Sequence, residues 1–190
     1  MSPVLLAPRR FEDKRGWFSE TWNERRVKDA GIDARFCQDN QSLSRETGTL
    51  RGLHFQAPPH AQAKLVRCLR GRILDVAVDI RRASPTFGKW LSVELSAANG
   101  LQLFIPRGYA HGFLTLEDNC EIAYKVDDFY SAEADGGVAW DDPAIGIDWH
   151  LGGRTPLLSD KDAALAPLSS LTVEFPYDGT PLEALRQVQV

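Results

Sequence analysis

Residues 72–80 (RILDVAVDI) alternate in polarity from end to end. Leu74, Val76, Val78 and Ile80 fall on one side, Ile73, Asp75, Ala77 and Asp79 on the other. A period of two marks an extended strand, whose side chains point alternately to opposite faces. The first set predicts a face turned to a core. The alternation returns in Leu91, Val93 and Leu95, and runs of strand composition lie at 50–56, 64–69, 101–105, 113–116 and 121–126. Asn99-Gly100 predicts a hairpin turn into the strand that follows it. Residues 11–22 (FEDKRGWFSETW) read as two short strands around Gly16. A further strand over 34–43 places Gln38 and Asn40 on one face and Cys37 and Asp39 on the other. Thr21-Trp22-Asn23-Glu24 has the form of a capping box opening a short helix that Gly31 ends. Helical periodicity is otherwise scarce until 159–168. Many short strands punctuated by Gly, Pro and Asn predict a mainly β fold, an antiparallel barrel or jelly roll with short peripheral helices. At 190 residues the expectation is a single domain. Within it, N-terminal strands occupy about 1–45, a barrel core about 46–150 and a C-terminal helical segment about 155–190.

With 22 basic and 26 acidic residues the formal net charge is −4. That argues against a nucleic-acid or membrane-surface binder, for which a basic excess is expected. The three cysteines, Cys37, Cys68 and Cys120, are odd in number and widely spaced. They read as reduced, buried thiols of a cytoplasmic protein. The first residues carry no signal-peptide pattern, and no apolar run approaches the ~18 residues of a membrane helix.

Residues 51–71 (RGLHFQAPPHAQAKLVRCLRG) place cations and an imidazole among strand residues. His54 shares a strand face with Gly52 and Gln56, opposite Leu53 and Phe55, and the glycine is expected to leave open space beside the ring. Lys64 shares a face with Val66 and Cys68. A base and a cation beside an apolar wall predict a pocket suited to a small anionic ligand.

The spacing of glycines and histidines narrows the fold. Gly100, five residues, Pro106, one residue, Gly108, two residues, His111 reproduces most of the second motif of the cupin superfamily, with Thr115 where Asn is common. Gly48, five residues, His54 begins the first motif. Metal-binding cupins then carry a second histidine where this chain has Gln56, and a glutamate where it has Lys64. A divalent cation favours imidazole and carboxylate ligands, and an ammonium in the ring repels it. The expectation is a barrel with no metal and no other cofactor, His54 being free to act as a base. His60, after Pro58-Pro59, is the one alternative ligand.

The ordered runs RGWFSETW, FCQDN, RGLHFQ, KLVRC, SPTFG, IPRGYAHGF, AYK, FYS and SDKDAA span nearly the whole chain. Together they resemble the dTDP-sugar epimerase family, the dTDP-4-dehydrorhamnose 3,5-epimerases. The resemblance implies a dTDP-4-keto-6-deoxyhexose substrate whose C3 and C5 are inverted through enolates, which requires a base, an acid on the opposite face and a charge partner for the enolate oxygen. It makes His54 the base and Tyr124 the proton donor. Asp162 orients His54 and raises its basicity, and Lys64 faces the 4-keto oxygen. His111 contacts the substrate. Arg15, Arg51 and Lys161 match anion-binding positions. Glu20 and the run Gln38, Asp39 and Asn40 match nucleotide contacts, Phe18 and Phe129 are stacking candidates, and Asp135 aligns with a glutamate. The resemblance also implies a homodimer in which Arg15 and Glu20 serve the partner's pocket. Plainer readings stand beside these: a lone histidine is commonly a hydrogen-bonded core residue, and Asp162 also fits a helix first turn. Rival functions are an epimerase inverting only C5 or only C3, a metal-dependent cupin enzyme, and a non-catalytic nucleotide-sugar binder.

Overall fold

The computed structural model describes residues 1–190. In chain order its elements are β1 (Val4–Ala7), β2 (Arg10–Asp13), β3 (Gly16–Ser19), α1 (Glu24–Asp29), β4 (Gln38–Ser44), β5 (Leu50–Gln56), β6 (Lys64–Arg70) and β7 (Arg72–Asp79). There follow β8 (Trp90–Ser96), β9 (Gln102–Ile105), β10 (Tyr109–Thr115), β11 (Cys120–Val126), β12 (Asp135–Gly137), α2 (Asp160–Ala163), a 3-10 turn (Leu168–Ser170) and β13 (Arg186–Gln189). One sheet runs β13-β1-β9-β6-β11-β4 and the other β12-β5-β10-β7-β8, while β2 and β3 form a separate hairpin. All strand pairings are antiparallel except β1 with β13. This is the expected mainly β, jelly-roll architecture. No helix is long and apolar enough to cross a membrane.

The period-two pattern of β7 is satisfied twice. Leu74, Val76, Val78 and Ile80 pack beneath the C-terminal segment, against Ile145, Trp149, Leu168 and Phe175. Ile73 and Ala77, from the other side of the strand, join Val66, Leu103, Phe113 and Ile122 in the interior between the sheets. Both faces of β7 are therefore core, and its two acids are fully buried. Burying a carboxylate without compensation is costly. Asp79 is matched by Arg81 at 2.8 Å and by the hydroxyls of Ser84 and Thr86, and Asp75 accepts from His111. A third cluster, with Leu6, Leu65 and Phe104, is closed by Val27 of α1 and by Ile32.

Several local expectations are corrected. Asn99-Gly100 does not close a hairpin: β8 and β9 belong to different sheets, and the turn carries the chain from one to the other. Asn99 Oδ1 stabilises that corner by accepting from the Ser96 and Leu101 N–H groups. Helix α1 is capped by Asn23 rather than Thr21, because the Asn23 side chain accepts from the Arg25 and Arg26 N–H groups. Residues 34–37 precede the strand, which starts at Gln38. The segment 155–190 holds only the four-residue α2 and the 3-10 turn, and ends in a strand. Its apolar residues follow the contour of the sheet they cover instead of a helical period. Cys68 and Cys120 are buried as expected but Cys37 is exposed, and all three are free.

The glycine beside His54 serves close approach rather than open space. Gly52 has φ +125°, and a Cβ there would lie 2.6 Å from the Gly112 Cα. A Cβ on Gly112 would in turn meet the Arg51 carbonyl at 2.8 Å. The two glycines let β5 and β10 run nearly in contact at the irregularity in their pairing, between His111 and Phe113.

Candidate active site

A cavity of about 330 Å³ opens at the polar end of the inter-sheet interior. The five-stranded sheet supplies His54 and Gln56 from β5 and Asp135 from β12. The six-stranded sheet supplies Gln38 and Asn40 from β4, Lys64 from β6 and Tyr124 from β11, and Lys161 of α2 and Tyr130 close the rim. The alternation that sends Val66 and Ile122 into the apolar interior brings Lys64 and Tyr124 to the same side of their strands. His54 and Tyr124 thus reach one space from opposite sheets.

Behind His54 stands Asp162, almost fully buried, its Oδ1 2.5 Å from His54 Nε2. Ser159 caps α2 by accepting from the Asp162 N–H, so Asp162 is both a first-turn acid and the histidine's partner. Both readings of this residue hold together. Asp162 Oδ2 also accepts from the Gly52 N–H at 3.4 Å. With Nε2–H donating to the carboxylate, Nδ1 keeps the lone pair. The expectation that Asp162 makes His54 more basic is half right. Burial dominates and pulls the imidazole below its ordinary value of 6.5; Asp162 opposes this, and Lys64 and Lys161 add to it. The net result is a ring that stays neutral to lower pH.

Lys64 donates to the His54 carbonyl at 3.3 Å. Burial lowers its ammonium to about 8, against the support of Asp75 and Asp135. Burial pushes the Tyr124 phenol up, partly offset by the Arg51 guanidinium, so the phenol keeps its proton at neutral pH. The site therefore holds an uncharged base, a protonated acid and a cation of reduced stability.

Other expected residues divide. Asp135 pairs with Lys161 at 2.5 Å and accepts from the Tyr130 hydroxyl at 3.4 Å. Arg51 stays off the cavity lining and donates to Ser44 Oγ and the Leu43 carbonyl, although its charge reaches Tyr124. His111, the Cα partner of His54, is buried against Asp75 and does not line the cavity. Asp39 projects from the opposite face of β4, where Lys125 holds it at 2.8 Å, because adjacent strand residues face opposite ways. Phe129 is 65% exposed and does not line the cavity, whereas its neighbour Tyr130 does, along with Phe55 and Tyr124. Arg15, Phe18 and Glu20 do not reach their own chain's cavity. Arg15 pairs with Asp13 at the hairpin turn, Phe18 is 69% exposed, and Glu20 binds Asn23 and Arg26.

Sequence reasoning missed Tyr130, Phe55, Gln56 and Gln62 as cavity residues. For Gln56 the sequence carries a signal, since it stands where metal-binding cupins place a second histidine. Its amide is fully engaged: Nε2 donates to the His60 and Phe129 carbonyls, and Oε1 accepts from the Ser131 N–H. No three His, Cys, Asp or Glu side chains gather as a ligand set. His60 sits in its loop with Nδ1 3.8 Å from Asp128.

Residues 2–170 match the family model described as dTDP-4-dehydrorhamnose 3,5-epimerase. An enzyme of that name from Sinorhizobium fredii is 54% identical over 173 residues, covering 91% of this chain and 88% of the relative. A crystal structure of dTDP-4-dehydrorhamnose 3,5-epimerase from Bacillus anthracis, with TDP and pyrophosphate bound, superposes with TM-score 0.84 at 48% identity, covering 87% of this chain and 93% of that one. The Legionella pneumophila dTDP-6-deoxy-D-glucose-3,5-epimerase, in complex with dTDP-4-keto-L-rhamnose, gives TM-score 0.85 at 43% identity, covering 90% and 92%. An aligned match of this length, on the same jelly roll, places the chain in the dTDP-4-dehydrorhamnose 3,5-epimerase family of sugar-nucleotide isomerases.

Proposed function

We propose that this chain converts dTDP-4-dehydro-6-deoxy-D-glucose to dTDP-4-dehydro-L-rhamnose by inverting C3 and C5. The observation that carries this reading is the opposition of His54 and Tyr124 across one cavity, with Lys64 beside them. The hydrogens at C3 and C5 are acidic because the 4-keto group accepts the electron pair left behind. His54 Nδ1 takes the proton, the C–H electrons become the enolate, and the Lys64 ammonium compensates the charge on O4. Tyr124 then delivers its phenolic proton to the same carbon from the opposite face, and the new C–H bond has inverted configuration. Proton return from His54 to Tyr124, directly or through solvent, resets the pair. The same two groups serve C3 and C5 if the sugar ring turns between steps. No step calls for a redox cofactor.

The dTDP handle is read by Lys161 at the diphosphate, by Gln38 and Asn40, and by Tyr130 as a stacking surface for thymine, with the Arg51 guanidinium adding positive charge from behind the lining. The bound dTDP-keto sugar in the Legionella relative supports this substrate class. The outward hairpin β2–β3, with Phe11, Trp17 and Phe18 exposed, supports a homodimer in which Arg15, Phe18 and Glu20 complete the neighbour's pocket. Three free cysteines fit a cytoplasmic setting. Incubation with the dTDP-4-keto sugar in deuterated water tests the reaction. Label at both C3 and C5 of inverted product is expected, and label at one carbon alone makes the chain a mono-epimerase. Light scattering tests the dimer.

A further inference from the structure

Asp75 is fully buried on the interior face of β7, between Ile73 and Ala77. Its Oδ1 accepts from His111 Nε2 at 2.7 Å, whereas its Oδ2 is buried without any hydrogen-bond partner. Such an oxygen is expensive to leave unpaired, and native structures do so rarely. Lys64 enters the same interior from the opposite sheet, on the face it shares with Val66 and Cys68. Its ammonium has three donors, and its only hydrogen bond is the long one to the His54 carbonyl.

The charged and titratable groups around Lys64 are His54 on β5, Asp75 on β7, His111 on β10, Tyr124 on β11, Asp135 on β12 and Lys161 on α2. Asp135 is already paired with Lys161, and Asp162 is held by His54. Both oxygens of Asp162 are engaged, by His54 and by the Gly52 N–H, whereas Asp75 Oδ2 is the one buried side-chain polar atom left without a hydrogen-bond partner.

We propose that Asp75 is a positioning residue for the epimerisation: its Oδ1 fixes His111 as the Nε2–H tautomer, and the charge its Oδ2 leaves uncommitted keeps Lys64 an ammonium. The inference rests on the reading of Lys64 as partner of the enolate oxygen. A neutral amine cannot compensate that oxygen, so the fraction of Lys64 still protonated sets the fraction of active enzyme. Burial has already brought the ammonium to about 8, and Asp75 is the foremost group holding it there.

The test is Asp75→Asn, which keeps the side-chain shape and an oxygen to accept from His111 while removing the charge. Two readouts are followed in the full-length protein: NMR titration of the Lys64 side chain with labelled lysine, and the pH dependence of kcat. The Lys64 midpoint and the alkaline limb of kcat should both move to lower pH, by on the order of one unit. KM for the dTDP-keto sugar should change by less than about threefold. Asp75→Glu, which restores the charge, should recover at least part of the alkaline limb. An unmoved Lys64 midpoint overturns the proposal, as does a lower rate with an unshifted alkaline limb. So does failure of both variants to fold, which would assign Asp75 to packing alone. Lys64→Met separates this inference from the reading beneath it: full turnover in that variant removes the enolate role, while the lysine titration in Asp75→Asn still decides whether the two charges are coupled.

Discussion

Replacing Asp162 with asparagine isolates the charge behind the base with almost no change in volume. Asp162 is 4% exposed and its Oδ1 lies 2.5 Å from His54 Nε2. A hydrogen bond to a charged group in such a site is worth about 1.5–3 kcal/mol. At about 1.4 kcal/mol per pKa unit, His54 should lose roughly one to two units of basicity. The sign follows from the groups around the ring. Asp162 raises the imidazole against burial, Lys64 and Lys161, so its removal lowers it further. The acid limb of the pH–rate profile should therefore move to lower pH by roughly one to two units. The plateau rate should fall by roughly 10- to 150-fold, because a weaker and less well oriented base removes the proton more slowly. The assay is loss of the C3 and C5 proton signals of the dTDP-keto sugar in deuterated water, followed by NMR across pH, with thermal melting to confirm folding. A folded variant whose plateau stays within about threefold of the parent, with an unmoved acid limb, would refute the pairing as a catalytic device.

The parent enzyme should itself show a bell-shaped profile. His54 must be neutral, which places the acid limb below 6.5, and Lys64 must be charged, which places the alkaline limb near 8; a profile with no acid limb contradicts the role of His54, and one with no fall by about pH 9 that of Lys64. Tyr124→Phe should retain wash-out of substrate protons yet slow formation of inverted product, and equal loss of the two in the same NMR experiment argues for a purely structural tyrosine. Tyr130→Ala should raise KM for the dTDP-sugar by roughly 5- to 100-fold, the range of one lost base stack, while Phe129→Ala has a smaller effect in steady-state kinetics. Gly112→Ala forces a methyl to within 2.8 Å of the Arg51 carbonyl and should cost about 1–3 kcal/mol, read as a lower urea midpoint.

What could be read before any coordinates was set by short-range periodicity and by residue identity. The alternation of β7 and the glycine–histidine spacing of β5 and β10 reported a two-sheet β fold, because period two has one structural meaning when it recurs between turn residues. Asn99-Gly100 misled for the converse reason. It specifies a local turn, and whether the strands on either side pair or part is decided by long-range packing. In the site, His54, Lys64, Tyr124 and Asp162 were nameable from motifs, although only the fold brings residues 54 and 162 together. Asp39 and Phe129, expected at the nucleotide, do not line the cavity that holds His54. On β4, Gln38 and Asn40 turn to the cavity of His54 while Asp39 between them turns to Lys125, and in the segment after β11 it is Tyr130 that lines the cavity. The direction of the His54 shift was not legible at all, since burial is a property of the assembled site.

The amide of Gln56 spans the cavity mouth from the barrel wall, gripping the 57–60 loop on one side and the 129–131 segment on the other. Both lips are thereby tied to the same strand that carries the base, and either can move away only by breaking a hydrogen bond to this one amide. One amide therefore couples three pieces of chain, and a substitution at Gln56 would release the 57–60 loop and the 129–131 segment together.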